Sequence, residues 1–143
     1  MSKLAWTAIV ALGAFVASPA PGRADSPRSV VEAAFAAIDR HDAAGLARFY
    51  AKDAVIIDSS VCAPEIGAAI VRKSHEQLFA AMPDVHAKVT DWVVEGDQVA
   101  ILFTAYGKGF GPSGKSTMAD FLTVRNGKIT RDVTIYDPGK PCA

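Results

Sequence analysis

A charge excess of either sign is missing from this 143-residue chain: 15 Lys and Arg stand against 15 Asp and Glu, a formal net charge of +0. No basic stripe runs along any segment, so nucleic acid is not among the partners the sequence supports. No apolar run after Val16 approaches the roughly 20 residues that span a bilayer. The three histidines, His41, His75 and His86, have no ligand spacing, and no carboxylate or cysteine joins them in a metal pattern. The sequence therefore implies neither a metal nor another cofactor. A G-x-S-x-G nucleophile elbow is absent, which leaves serine-type acyl transfer without support. Repeats and low-complexity tracts are absent as well. Cysteine is scarce: Cys62 and Cys142 are the whole complement.

What is present begins at the N-terminus. Lys3 supplies a short positive region, and Leu4–Val16 is an apolar run of about 13 residues, the length of an export-signal core and too short to cross a membrane. Pro19 and Pro21 break it. Gly22-Arg23-Ala24 then places small residues at the −3 and −1 positions of a cut after Ala24. A cut after Ala20 would put Pro21 just past the scissile bond. An uncleaved amphipathic helix or anchor is the competing reading, against which stand the short length and the lack of a polar face. Residues 1–24 are thus expected to be a signal peptide and 25–143 one mature domain, periplasmic or secreted, with no membrane contact after cleavage. Lys3 and Arg23 fall in the leader, so the mature domain carries 13 basic and 15 acidic side chains. An oxidising compartment and an even cysteine count suit a Cys62–Cys142 disulfide; two unrelated thiols remain the alternative. A bridge across that span would stabilise by roughly 4 kcal/mol in the chain-entropy description.

Ser26-Pro27 reads as N-cap and first turn of a helix to about Arg40, with Val31, Phe35 and Ile38 at helical spacing. Asp42 caps a second helix, Ala43–Tyr50, facing inward through Leu46, Phe49 and Tyr50. Ala54–Asp58 is a short strand, Ser59–Pro64 a loop, and Glu65–Met82 a third helix with Ile66, Ile70, Ser74, Leu78 and Met82 along one stripe. Pro83-Asp84 ends it. The period then changes to two. His86–Val94 and Gln98–Tyr106 are strands joined by Glu95-Gly96-Asp97. Ser116–Arg125 and Lys128–Asp137 are strands joined by Asn126-Gly127, a type I′ hairpin signal. The order predicts an α+β fold, a cone-shaped curved antiparallel sheet packed against three N-terminal helices.

Gly109 to Ser116 satisfies the phosphate-loop pattern G-x-x-x-x-G-K-S. That chemistry needs a helix straight after Lys115, whose N-terminus holds the phosphate. Thr117 to Arg125 alternates as a strand instead, so the segment reads as a solvated hairpin loop.

The carboxylates carry more. Met118, Asp120, Leu122 and Val124 share one strand face by parity. Asp120 is therefore an acid on an apolar face, where burial raises a carboxyl pKa and makes a usable general acid or base; a reversal of the sheet's sides would turn it outward. Asp58 lies at the end of the first strand, on the face of Ile56. It is a second candidate, or a strand-end cap over Ser59-Ser60.

The order of elements is similar to the nuclear transport factor 2-like superfamily. Three segments resemble its SnoaL-like polyketide cyclase and ketosteroid isomerase-like branch: Ala81-Met82-Pro83-Asp84, then Val94-Glu95-Gly96-Asp97-Gln98-Val99, then Asp120-Phe121-Leu122-Thr123-Val124-Arg125-Asn126-Gly127-Lys128-Ile129. The resemblance implies a catalytic role for Asp120, which falls where the cyclases have their catalytic Asp and the isomerase its oxyanion-hole Asp. It implies a proton-shuttling role for Asp58. Two partners are missing: the isomerase's oxyanion Tyr falls at Ala34, and the cyclase branch's Gly-Thr-His element is replaced by Tyr106-Gly107-Lys108. Tyr50 and Tyr136 are the candidate replacement donors, with Met118 and Leu122 as apolar substrate contacts.

Two readings follow. One is a cofactor-free acid–base enzyme, of isomerase, cyclase or dehydratase type, acting on a small apolar molecule. The other is a non-catalytic ligand-binding or dimerising module, with a homodimer formed through the sheet face. For the export reading, N-terminal sequencing of protein recovered outside the cytoplasm is expected to begin at Asp25. Intact mass is expected to rise by two hydrogens on reduction; a start at Met1, or an unchanged mass, would overturn the respective expectation.

Overall fold

In a computed structural model of the protein, residues 26–139 are described. The expected leader and Cys142 lie outside them, so neither cleavage nor the cysteine pairing is addressed by the fold.

Helix α1 is Pro27–Asp39. The Ser26 hydroxyl caps it by accepting from the Ser29 N–H at 3.2 Å, which satisfies one of the free donors of the first turn. The helix ends without glycine. His41 takes φ 54, its N–H donates to the Ile38 carbonyl, and the Asp42 N–H reaches back to Ala37, the pattern that closes a helix through a left-handed residue. The His41 ring is held from outside: Nε2 donates to the Val85 carbonyl at 2.7 Å and the ring stacks on Phe79 at 4.7 Å.

Helix α2 is shorter than its sequence predicts, Ala43–Ala47, and Tyr50 opens strand β1, Tyr50–Asp58. Ile129 on the last strand draws Phe49 and Tyr50 away from the helix: its N–H donates to the Phe49 carbonyl at 2.8 Å, and Tyr50 pairs with Ile129. The predicted helix from Glu65 to Met82 is also corrected. Glu65–Ile66 forms β2, paired antiparallel with β1, and α3 spans Ala68–Ala81. Gly67 enforces the break, with φ 98 and no room for a Cβ beside the Lys52 carbonyl. Ile66 consequently leaves the expected apolar stripe and is 58% exposed, while Val71 is the buried residue of α3.

The remaining strands are β3 (His86–Glu95), β4 (Gln98–Tyr106), β5 (Lys115–Arg125) and β6 (Lys128–Ile135). Asn126 and Gly127 take φ 51 and 72, as the I′ hairpin requires. After the Gly-rich loop, one short 3-10 turn at Gly111–Ser113 leads into β5 at Lys115, so no helix N-terminus follows that lysine. The sheet order is β2-β1-β6-β5-β4-β3, antiparallel except for the parallel pair β1–β6.

Two bulges in the antiparallel ladders curve the sheet. Between Val89 and Asp91, β3 spends one residue more than β4; between Ile129 and Arg131, β6 spends one more than β5. The extra residue is a threonine in both cases, and its hydroxyl donates across to the facing strand: Thr90 to the Leu102 carbonyl and Thr130 to the Thr123 carbonyl, both at 3.2 Å. The concave face packs on α1, where Val31, Phe35 and their neighbours meet Ile101, Phe103 and Leu122. Phe35 and Phe103 make an edge-to-face contact at 5.1 Å. The convex face leaves Leu102, Phe121 and Ile135 exposed.

Gly67 is the junction most exposed to test. An alanine Cβ there would sit 2.6 Å from the Lys52 carbonyl oxygen at a φ that side chains avoid. Gly67→Ala is expected to cost at least about 2 kcal/mol, read as a lowered urea midpoint with unchanged slope. An unchanged midpoint would show that β2 and α3 do not depend on this turn.

Candidate functional site

The curvature leaves a cavity of about 460 Å³ between the helices and the concave face. Its walls are mainly apolar, from Phe35 and Ile38 on α1, Leu78 on α3, Phe103 on β4 and Phe110 in the Gly-rich loop. All six residues expected at a site from sequence, Asp120, Asp58, Tyr50, Tyr136, Met118 and Leu122, line this one cavity.

Strand register explains how the polar groups meet. Asp120 on β5 stands between Ile101 on β4 and Thr134 on β6, and Thr134 in turn pairs with Asp58 on β1. One row across the sheet therefore reads Ile101, Asp120, Thr134, Asp58. The next row reads Val99, Leu122, Asp132, Ile56. Asp132 was not identified from the sequence. Simple alternation from buried Ile129 sends Arg131 and Val133 inward and Asp132 outward. The extra residue at Thr130 reverses the parity, so Asp132 and Thr134 face the cavity.

Asp120 and Asp132 are each 6% exposed. The Tyr50 hydroxyl donates to Asp132 Oδ2 at 2.6 Å. The other oxygen of Asp132 and the Oδ1 of Asp120 have no hydrogen-bond partner among the described residues. Burial pushes the Asp120 carboxyl well above the ordinary range; the nearby Asp132 charge adds to this, and the Thr134 hydroxyl opposes it. Asp132 is raised to about 6, again chiefly by burial, with the Tyr50 hydrogen bond pulling the other way. Tyr50 is itself held well above its ordinary range, by burial first and by the Asp132 carboxylate second. Tyr50 thus favours ionised Asp132, whose charge in turn favours the protonated form of Asp120.

Asp58 fills both roles that its sequence position allows. Its Oδ1 accepts from the Ser60 N–H at 2.7 Å, from the Ser60 hydroxyl and from the Tyr136 hydroxyl at 3.0 Å. It is thus the strand-end cap and also a cavity group. Ala34, where the resembled isomerase has its tyrosine, lines the same cavity; the tyrosine hydroxyls here come instead from Tyr50 and Tyr136. His75 joins the lining from α3. Nothing in its helical pattern separated it from a surface residue, because its neighbours Arg72, Lys73 and Glu76 are exposed. Among the described residues, no group of three His, Cys, Asp or Glu side chains could hold a metal ion.

Residues 31–132 match the family model for the SnoaL-like domain. No curated protein matches the sequence. Among solved structures, the chain is 28% identical to IdmH of Streptomyces antibioticus, a proposed polyketide cyclase, covering 79% of this chain and 93% of that one at a TM-score of 0.68. It is 26% identical to a Catenulispora acidiphila protein with a ketosteroid isomerase-like fold, solved with trimethylamine, over 75% of this chain and 84% of that one, TM-score 0.64. An NTF2-like protein from Cytophaga hutchinsonii shares the fold at 13% identity, over 83% and 96% of the two chains, TM-score 0.68.

The acid pair has a pH signature of fixed sign. Unfolded aspartates release their protons near pH 3.9; the folded pair releases them higher. The pair's contribution is therefore full below about pH 4, is lost as pH rises through the folded values, and levels off above them. Asp132→Asn is expected to remove the part lost between about pH 4 and 6, on the order of 3 kcal/mol for a shift of this size, and to lower the Asp120 pKa. Carboxyl NMR titration with urea unfolding at several pH values measures both. An ordinary Asp120 pKa in the unsubstituted protein would mean that this carboxyl meets water.

Proposed function

The chain belongs to the SnoaL-like domain family, and from that premise we propose that its cavity performs cofactor-free acid–base chemistry on a small, mostly apolar carbonyl compound. The observation that carries the reading is the buried Asp120 carboxyl, whose pKa burial raises well above the ordinary range and whose Oδ1 has no partner among the described residues. A neutral carboxylic acid donates a hydrogen bond to a carbonyl oxygen and strengthens it as negative charge develops there. Asp58 is the base. Its Oδ1 is occupied by Ser60 and Tyr136, which orient the group and leave Oδ2 to accept a proton from the carbon next to the carbonyl. The C–H electron pair then forms the enolate, whose oxygen Asp120 stabilises. Return of the proton to another carbon gives isomerisation, and attack of the enolate carbon on a second carbonyl gives cyclisation. Asp132, fixed by Tyr50, acts through its charge by holding the proton on Asp120, and is a positioning residue.

The proposal extends to setting. The leader-like residues 1–24 support action outside the cytoplasm. The exposed Leu102, Phe121 and Ile135 on the convex face support a homodimer through the sheet, which analytical ultracentrifugation would detect as a concentration-dependent doubling of mass.

Enolisation is readable without the natural substrate. With 2-tetralone in deuterium oxide, the protein is expected to accelerate deuterium uptake at C1, followed by NMR. Asp120→Asn and Asp58→Asn should each slow the uptake by about 10²–10⁴-fold. Asp120→Asn should also stabilise the fold at neutral pH, because folding then no longer requires a buried carboxyl to take up a proton. Uptake unaffected by either substitution, or none above buffer with this and related ketones, would replace the enzyme by a binding module.

A further inference from the structure

The Asp120 and Asp58 carboxyls occupy the sheet side of the cavity and leave its helix side unexplained. His75 lies there, four residues after Val71 on α3, with Nδ1 2.9 Å from the Val71 carbonyl. A carbonyl only accepts, so Nδ1 carries the hydrogen and Nε2 of the neutral ring carries a lone pair. Burial disfavours the imidazolium and pushes the His75 pKa below its ordinary value, so the ring is neutral at physiological pH. The Nδ1 edge is turned onto its own helix, and Phe79 meets the ring edge-on at 5.8 Å. The opposite edge, with Nε2, is directed away from the helix backbone, on a residue that lines the cavity. No donor among the described residues reaches Nε2.

The charge of the lining narrows the ligand further. Among the described residues it holds three carboxyls, Asp58, Asp120 and Asp132, a neutral imidazole, and no Lys or Arg. A carboxylate or phosphate entering this cavity would shed its hydration with no cation to meet it and with like charge nearby.

We propose that the cavity binds uncharged, largely apolar molecules that carry a hydroxyl, and that His75 Nε2 accepts the hydrogen bond from that hydroxyl. The ligand class is thus a neutral hydroxyl compound rather than an organic acid. This deepens the acid–base reading by adding a recognition group across the cavity from the reacting carbonyl, and rests on that reading only for the identity of the carbonyl end.

Fluorescence titration with three probes of one shape tests it: 2-naphthol, 2-methoxynaphthalene and 2-naphthoate. 2-Naphthol is expected to bind about five- to tenfold more tightly than 2-methoxynaphthalene, the effect of one hydrogen bond, and 2-naphthoate not to bind. His75→Phe should bring the naphthol-to-methoxynaphthalene ratio to about one while methoxynaphthalene binding persists. His75→Gln, which restores an acceptor, should recover part of the ratio. Thermal melts confirm that both variants fold, and the ratio reads binding alone, so this result stands apart from the deuterium-exchange outcome. A ratio unchanged in His75→Phe, 2-naphthoate binding on a par with 2-naphthol, or no 2-naphthol binding to the unsubstituted protein would each overturn the proposal.

Discussion

One extra residue in β6 decides which polar side chains this strand turns into the cavity. Without the bulge at Thr130, alternation from Ile129 would direct Arg131 into the cavity and Asp132 to solvent, and Asp120 would face a cation rather than a second acid. With it, Asp132 and Thr134 turn inward, Tyr50 gains an acceptor 2.6 Å away, and two carboxyls lie on one buried face. The bulge is held by a hydrogen bond from the Thr130 side chain to the Thr123 carbonyl. A local backbone irregularity on β6 thus adds the Asp132 charge to the burial that already raises the Asp120 pKa.

Two acids in an apolar cavity oppose folding, because each ionised form loses hydration and repels the other. The protein reduces that cost by asymmetry. Tyr50 donates to Asp132 and favours its charged form, and the resulting anion favours the neutral form of Asp120. The unpartnered oxygens that remain are a standing cost that a ligand with suitable groups would relieve. Strain of this kind is expected where a site must favour a bound molecule over water.

Much of this was legible from the sequence, and the failures have physical causes. Period-two alternation put Asp120 among Met118, Leu122 and Val124, and the Asn126-Gly127 turn fixed the last hairpin; both agree with the fold. The SnoaL-like resemblance agrees with the family match. Asp132 was hidden because a bulge leaves no mark in a pattern read by parity. Tyr50 was assigned to a helix that stops at Ala47, yet it still reaches the cavity, since the start of β1 is tied to Ile129. Glu65-Ile66 looked helical because a helix does follow; only the φ of Gly67, with no room for a Cβ beside the Lys52 carbonyl, separates strand from helix. His75 was hidden because its role depends on which ring nitrogen its own helix engages, which residue type alone does not specify.

The cavity's two sides divide the work by the kinds of hydrogen bond they offer. On the proposed reading, protonated Asp120 on the sheet side is a donor, suited to a carbonyl oxygen. On the helix side, the lone pair of His75 Nε2 is an acceptor, suited to a hydroxyl. Neither group would serve in its charge-reversed form: an ionised Asp120 could not donate, and a protonated His75 could not accept. Burial produces both states, since the same loss of hydration that holds a proton on a carboxyl removes one from an imidazole. A single physical cause therefore gives the cavity a direction, donor at one side and acceptor at the other, while the apolar wall between them supplies affinity without orientation.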